Sequence, residues 1–304
     1  MPPRLEWRFV TVQMVLLAGP AQPRGAGSRT ETDAQTVGLI VLGAVIVITA
    51  VHATIMIVRH LTGRHAAPAQ GLRRTIRVWD LGVRVSHWSI VASIAVLVVT
   101  GYVLAHPVPS QGRGGGNPTM HTVRSVHVFF AVVFTAAVLF RICWFFAGNR
   151  WASWRYWIPT TRARLRRLRE QAAYYAFIRR TPPAEIGHNP LAGAAYTVLY
   201  LILAAQILTG FALYSQGFEG GFWPGAFGWL LTLYGEPGVR FTHGVVMWVL
   251  LAFVIHHVYS SILIGAEEHS GMVAGIITGN KSFTEEHLPA ADEHSPAETP
   301  QPSQ

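Results

Sequence analysis

Four histidines carry the chemistry in this sequence: His87, His127, His243 and His257, each within or at the end of a long apolar stretch. An ionisable side chain is costly to keep in such a stretch and needs a partner there. His243 and His257 are 14 residues apart, close to four helical turns, so on a helix they share nearly one face, about 21 Å apart along the axis. One helix can therefore serve two centres at two depths. His127 shares the depth of His243, and His87 that of His257. Two imidazoles on facing helices fill both axial positions of a six-coordinate haem iron, the arrangement of an electron carrier with no position open to substrate. The pattern thus points to two b-type haems, one between His127 and His243 and one between His87 and His257. The alternative is four buried polar groups bonded to backbone carbonyls or to each other, which explains one histidine better than four at matched depths. His256 competes with His257 but points roughly 100° away around the helix; only the two pairs taken together favour His257.

The elements that hold these residues are membrane spans. Hydrophobic residues make up 51% of the 304 positions and charged residues 13%, with a mean hydropathy of +0.32, outside the ordinary soluble range. Five apolar stretches of roughly twenty residues, each long enough for ~30 Å of hydrocarbon, occupy 37–58, 85–105, 126–146, 191–214 and 244–264. Helices are the form that satisfies backbone groups in lipid with connections this long and this few. The expected fold is an all-α membrane protein: a four-helix transmembrane haem-binding bundle plus one extra N-terminal transmembrane helix. Its expected parts are an exported segment at 1–36, the extra helix and a basic loop at 37–71, the four-helix core at 72–283 and a disordered tail, rich in Glu, Pro and Ser, at 284–304.

Charge sets the orientation. The formal charge is +9, lysine is almost absent, and the arginines cluster in two loops, from Arg59 to Arg84 and from Arg150 to Arg180. The positive-inside rule puts both loops in the cytoplasm, so the excess charge is not a nucleic-acid surface. The N-terminus then lies outside and the C-terminus inside. Residues 1–28, with Arg4 and Arg8 before a short apolar stretch and then small residues, read as a weak signal peptide. The one cysteine, Cys143, excludes an internal disulfide, a Cys-ligated cluster and a Cys-rich zinc site within the chain.

Other residues gather around the histidines. Thr100, Gly101 and Tyr102 recur as Thr209, Gly210 and Phe211; the glycines let a macrocycle or merely a neighbouring helix come close. Arg84 and Arg124 each stand three residues before a proposed ligand, placed either for haem propionates or for snorkelling to the interface. Residues 162–180 are basic with interspersed apolar positions, either an amphipathic surface helix or a solvated loop.

The segments 80–88 (DLGVRVSHW), 99–103 (VTGYV), 124–127, 141–150 (RICWFFAGNR), 182–191 (PPAEIGHNPL), 209–215 (TGFALYS) and 243–259 together resemble the b-type cytochrome subunit of membrane-bound nickel-iron hydrogenases over roughly residues 78–281. The resemblance implies a four-helix cytochrome core of the bacterial inner membrane. Such a core takes electrons from a periplasmic hydrogenase, through its small iron-sulfur subunit beside the large nickel-iron subunit, and passes them to quinone. It would be an electron-transfer subunit of an oxidoreductase complex, not the hydrogen-activating subunit. The family's haem ligands map onto His87, His127, His243 and His257. For the quinone, His188 and Asn189 with Trp88 nearby are the candidates, because a quinone oxygen needs a donor and a protonatable group; equally, Asn189 and Pro190 simply cap the fourth span. The sequence departs from the family in its first helix, expected either to replace or brace the partner's transmembrane anchor or to face lipid as an accessory span, and in the stretch 265–269. A cytochrome serving formate dehydrogenase would use the same histidine cage, and a non-redox anchor or a transporter would use none.

Overall fold

A computed structural model of the chain describes residues 27–62, 73–107, 118–181, 183, 187–268 and 270–284. The signal-like core of the N-terminus, the tail from 285 onward, Arg64, Arg113 and His269 lie outside the described residues. In chain order the elements are α1 (Gly27–Leu61), β1 (Arg73–Arg77), α2 (Leu81–Ala105), α3 (Pro118–Ala147), α4 (Trp154–Trp157), α5 (Arg162–Tyr175), α6 (Pro190–Ser215), α7 (Phe222–Glu268), α8 (Met272–Thr278) and β2 (Asn280–Thr284).

Five of these helices, α1, α2, α3, α6 and α7, are long and apolar enough to cross a membrane. The protein is an all-α, multi-pass membrane protein, as expected. Large apolar side chains such as Ile40, Val47 and Ile48 on α1, Val99 on α2 and Leu201 on α6 are exposed, which suits a surface whose solvent is lipid. With lipid as apolar as the side chains, these helices associate through close packing and polar contacts rather than by escape from water.

All five spans begin earlier than hydropathy alone indicates, α1 and α7 by the most. Helix α1 starts at Gly27, so Glu31 and Asp33 belong to it. Helix α7 starts at Phe222 and passes through Glu236, Pro237 and Arg240, a charged stretch between the fourth and fifth apolar runs. It is broken at Gly235, whose φ of 69° and ψ of 158° suit a residue without Cβ. Pro237 follows inside the helix, early in the new segment, where its missing N–H is of least consequence.

The chain divides into two compact units, one of residues 1–52, 85–143 and 198–257, the other of 53–84, 144–197 and 258–304. In the first, α2, α3, α6 and α7 share a buried cluster of Phe134, Val138, Leu203 and Leu250, flanked by Ile94, Leu97, Leu199 and Val246. Helix α1 meets α7 along its own line. Gly38 lies under the Trp248 ring, where any Cβ would overlap it, a Cβ at Gly244 would stand 3.1 Å from that of Ala34, and Thr49 Oγ1 is 3.1 Å from His256 Nδ1.

In the second unit Asp80 organises the start of α2. Its Oδ1 accepts from Val83 N (2.9 Å) and Trp144 Nε1 (2.8 Å), and its Oδ2 from Asn149 N (3.1 Å). It is thus an N-cap that also ties down the segment after α3. Gly82 lies against the Trp144 ring, and Asn149 Nδ2 donates to Val78 O (2.9 Å). This explains the distance in sequence between DLGVRVSHW and RICWFFAGNR: together they form one corner. Residues 162–175, which the sequence leaves open between a helix and a solvated loop, are the helix α5, with Thr161 Oγ1 accepting from Arg164 N at its start and Tyr174 buried against Met56 and Ile264. Burial pushes the Tyr174 phenol above its ordinary range. Strands β1 and β2 pair antiparallel from Arg73 with Thr284 to Arg77 with Asn280, an element five residues long on each side that hydropathy does not reveal.

Candidate functional site

All four selected histidines fall in the first unit. His127 and His243 line one cavity of about 370 Å³. His127 Nδ1 is 2.8 Å from Thr100 Oγ1, and that hydroxyl donates its single proton to Val96 O at 2.7 Å. The hydroxyl can therefore only accept from the ring, which fixes the proton on Nδ1 and leaves Nε2 with a bare lone pair. The second pair of residues repeats the device. His243 Nδ1 is 3.0 Å from Thr209 Oγ1, which donates to Ala205 O at 2.7 Å. Gln206 Nε2, 3.3 Å from His243 Nε2, is a donor facing that lone pair.

The glycine after each threonine makes room for the ring. A Cβ at Gly101 would stand 3.3 Å from His127 Cε1, and one at Gly210 would stand 3.1 Å from His243 Cε1. Each is tighter than ordinary carbon contact. The recurrence of Thr-Gly on α2 and α6 thus has a local cause: threonine sets the tautomer and glycine seats the ring. The sequence pattern disclosed the glycines; the threonines, as holders of the imidazoles, went unread although they stand beside them.

The other two histidines face each other. The His87 and His257 ring centres are 6.4 Å apart with planes at 52°. Two nitrogens at ~2 Å from one metal, each ~1 Å from its ring centre, place the centres ~6 Å apart. Phe253 stacks on His257 at 5.5 Å and 9°, and Trp88 stands edge-on to His87 at 5.3 Å. The Nδ1 of His87 is buried with no hydrogen-bond partner among the described residues, so His87 lacks the threonine device. Arg141, 3% exposed, lies within electrostatic reach of His87 and of Tyr200. His256, the competitor, turns to Thr49 of α1.

Arg124 lines the cavity of His127 and His243, together with His106 and Arg240. Arg84 is engaged elsewhere: its Nη1 donates to Ile277 O at 2.6 Å, near the end of α8. His188 and Asn189 belong to the other unit and Trp88 to the first. His188 is caged by Trp79, Trp157 and Tyr196, at ring distances of 4.5, 5.1 and 5.0 Å. Asn189 Oδ1 accepts from Ala192 N at 2.8 Å, the N-cap of α6 with Pro190 as its first residue.

Two imidazoles are too few donors to hold a bare ion on their own, where four or more are usual. Paired imidazoles, a glycine beside each of the His127 and His243 rings and a cavity lined mainly by apolar residues fit a ligand that brings its own equatorial donors. The model of prokaryotic cytochrome b561 matches residues 78–279, about two thirds of the chain. The chain belongs to that family. All four histidines, both Thr-Gly dipeptides and the Asp80 corner lie within this cytochrome b561 region; α1 lies before it. Among curated proteins the chain is 34% identical over 227 residues to a probable Ni/Fe-hydrogenase B-type cytochrome subunit of Bradyrhizobium diazoefficiens, covering 72% of this chain and 92% of that one. The similarity to the subunit of that name in Cupriavidus necator is 34% over 211 residues (68% and 86%). To the probable Ni/Fe-hydrogenase 1 B-type cytochrome subunit of Escherichia coli K12 it is 32% over 212 residues (67% and 90%).

Proposed function

We propose that this cytochrome b561 family member is the membrane-anchoring dihaem cytochrome b subunit of a nickel-iron hydrogenase, carrying electrons from the periplasmic catalytic subunits to membrane quinone in the bacterial inner membrane. The observation that carries the reading is the pair of imidazoles lining one cavity, each with its Nδ1 proton fixed by a threonine so that its Nε2 carries the lone pair. His127 and His243 would hold the outer haem, and His87 and His257 the inner one. When bound, each haem supplies a one-electron iron couple. The chain's own residues do the rest. Thr100 and Thr209 hold the imidazoles in the ligating tautomer and raise their basicity. Gly101 and Gly210 give the rings their seats, and Arg124 offers a cation for a propionate.

With α7 supplying one ligand to each level, the two centres lie about 21 Å apart along the helix. By the positive-inside reading, the level of His127 and His243 faces outward and that of His87 and His257 inward. His188, held among three aromatic rings, is the donor proposed for the quinone oxygen, with Asn189 fixing its backbone as the cap of α6.

Purification in mild detergent, haem quantitation and a reduced-minus-oxidised spectrum test the reading. Two haems b per chain are expected, together with nickel in the co-purified catalytic subunit. Fewer than one haem per well-folded chain would remove the cytochrome reading, and molybdenum in place of nickel would reassign the partner.

A further inference from the structure

Helix α1 lies outside the region shared with the family, yet Glu31, Ala34 and Gln35 line the same cavity as His127 and His243. The contact is polar at its outer end. Glu31 Oε1 is 3.6 Å from Arg240 Nη1, both about three-quarters buried, and Arg240 Nη2 also bonds Glu236 Oε1 at 2.6 Å. Gln35 Oε1 is 3.0 Å from His106 Nε2. Below this cluster, Ala34 against Gly244 and Gly38 beneath Trp248 hold the helix close to α7. A span serving only as lipid-facing bulk has no use for a largely buried carboxylate placed on a cavity-lining arginine.

We propose that α1 is an additional wall of the outer haem site, and that Glu31 is a positioning residue which holds Arg240 and lowers that haem's reduction potential. The inference rests on the reading of a haem between His127 and His243. A carboxylate beside the cavity favours the ferric state, which carries one more positive charge than the ferrous state. By engaging Arg240, Glu31 also limits the cation available to a propionate. Removing Glu31 therefore raises the potential, and removing Arg240 lowers it.

The test is a spectroelectrochemical titration of the full-length, haem-loaded chain with haem quantitation in parallel. In Glu31→Gln one of two haems is expected to shift upward by about tenfold in its reduction equilibrium, ~59 mV for a one-electron couple. Arg240→Gln is expected to shift the same haem downward, and Glu31→Asp to stay near wild type. Both haems unmoved in Glu31→Gln, or both variants moving in one direction as a loosened site would, overturns the role of Glu31. Gly38→Leu, which collides with Trp248, tests the wall without touching charge. It should hasten transfer of one haem to apomyoglobin several-fold, and unchanged transfer overturns that part. A wild-type chain without haem would instead sink the reading on which the inference stands.

Discussion

Thr209→Val removes one oxygen from the site and keeps nearly all of the side chain's volume. The threonine hydroxyl now accepts from His243 Nδ1 at 3.0 Å and donates to Ala205 O at 2.7 Å. Valine leaves the ring N–H buried with no acceptor in its place, while the Ala205 carbonyl keeps its helical partner. An abandoned buried donor costs roughly 1–3 kcal/mol, a factor of about 5 to 150 in binding, which agrees with the ~10–100-fold loss usual when a ligand's supporting hydrogen bond is removed. The imidazole also loses electron density when its N–H has no acceptor, so the haem it ligates should become easier to reduce. The assay is haem stoichiometry and transfer to apomyoglobin, followed by a redox titration of the remaining haem. One haem should leave at least several-fold faster and titrate at a higher potential, the other remaining unchanged. Thr209→Ser, which keeps the hydroxyl, should restore both. If Thr209→Val matches wild type in transfer rate and potential, the threonine does not set the tautomer and the argument fails.

The remaining expectations concern the other members of the site. His243→Ala should remove one haem and leave the spectrum of the other; His257→Ala should do the converse, and loss of both from either variant would contradict the pairing. His256→Ala should retain two haems and lose only a contact with α1, seen as a small drop in thermal midpoint; loss of a haem would mean that His256, not His257, is the ligand. Asp80→Ala leaves three donors without their carboxylate and should destabilise the protein by about 3 kcal/mol, with Asp80→Asn in between; equal midpoints for all three proteins in a detergent melt would refute the capping role.

What the sequence disclosed followed from period and hydropathy. The 14-residue interval placed His243 and His257 on one face, and the lengths of the apolar runs found all five spans. The ends of those spans were hidden because a hydropathy window stops at charges. Glu31 and Asp33 excluded the first ten residues of α1, and Glu236, Pro237 and Arg240 made a helix look like a loop. The partner of α1 was hidden for another reason: an apolar helix facing lipid and one packed on α7 have the same composition, and only Gly38, Ala34 and Glu31 tell them apart once Trp248, Gly244 and Arg240 are known to face them. The Asp80 corner needed residues some 60 to 70 positions apart in sequence, which no local pattern can join. Arg84 illustrates the reverse, since one turn of helical spacing placed it near His87, whereas its guanidinium reaches the carbonyl of Ile277.

The Thr-Gly dipeptide, detached from this chain, amounts to a three-residue instruction written on two helices. One helix carries the threonine and the glycine as neighbours, and the other carries the histidine that lands on them. No loop, charge or distant residue enters. A helical hairpin of artificial sequence given the same three side chains at the same facing positions acquires a histidine with a specified tautomer and a seat of specified depth, so the site of His127 and His243 is portable in a way that the site of His87, which lacks such a partner, is not.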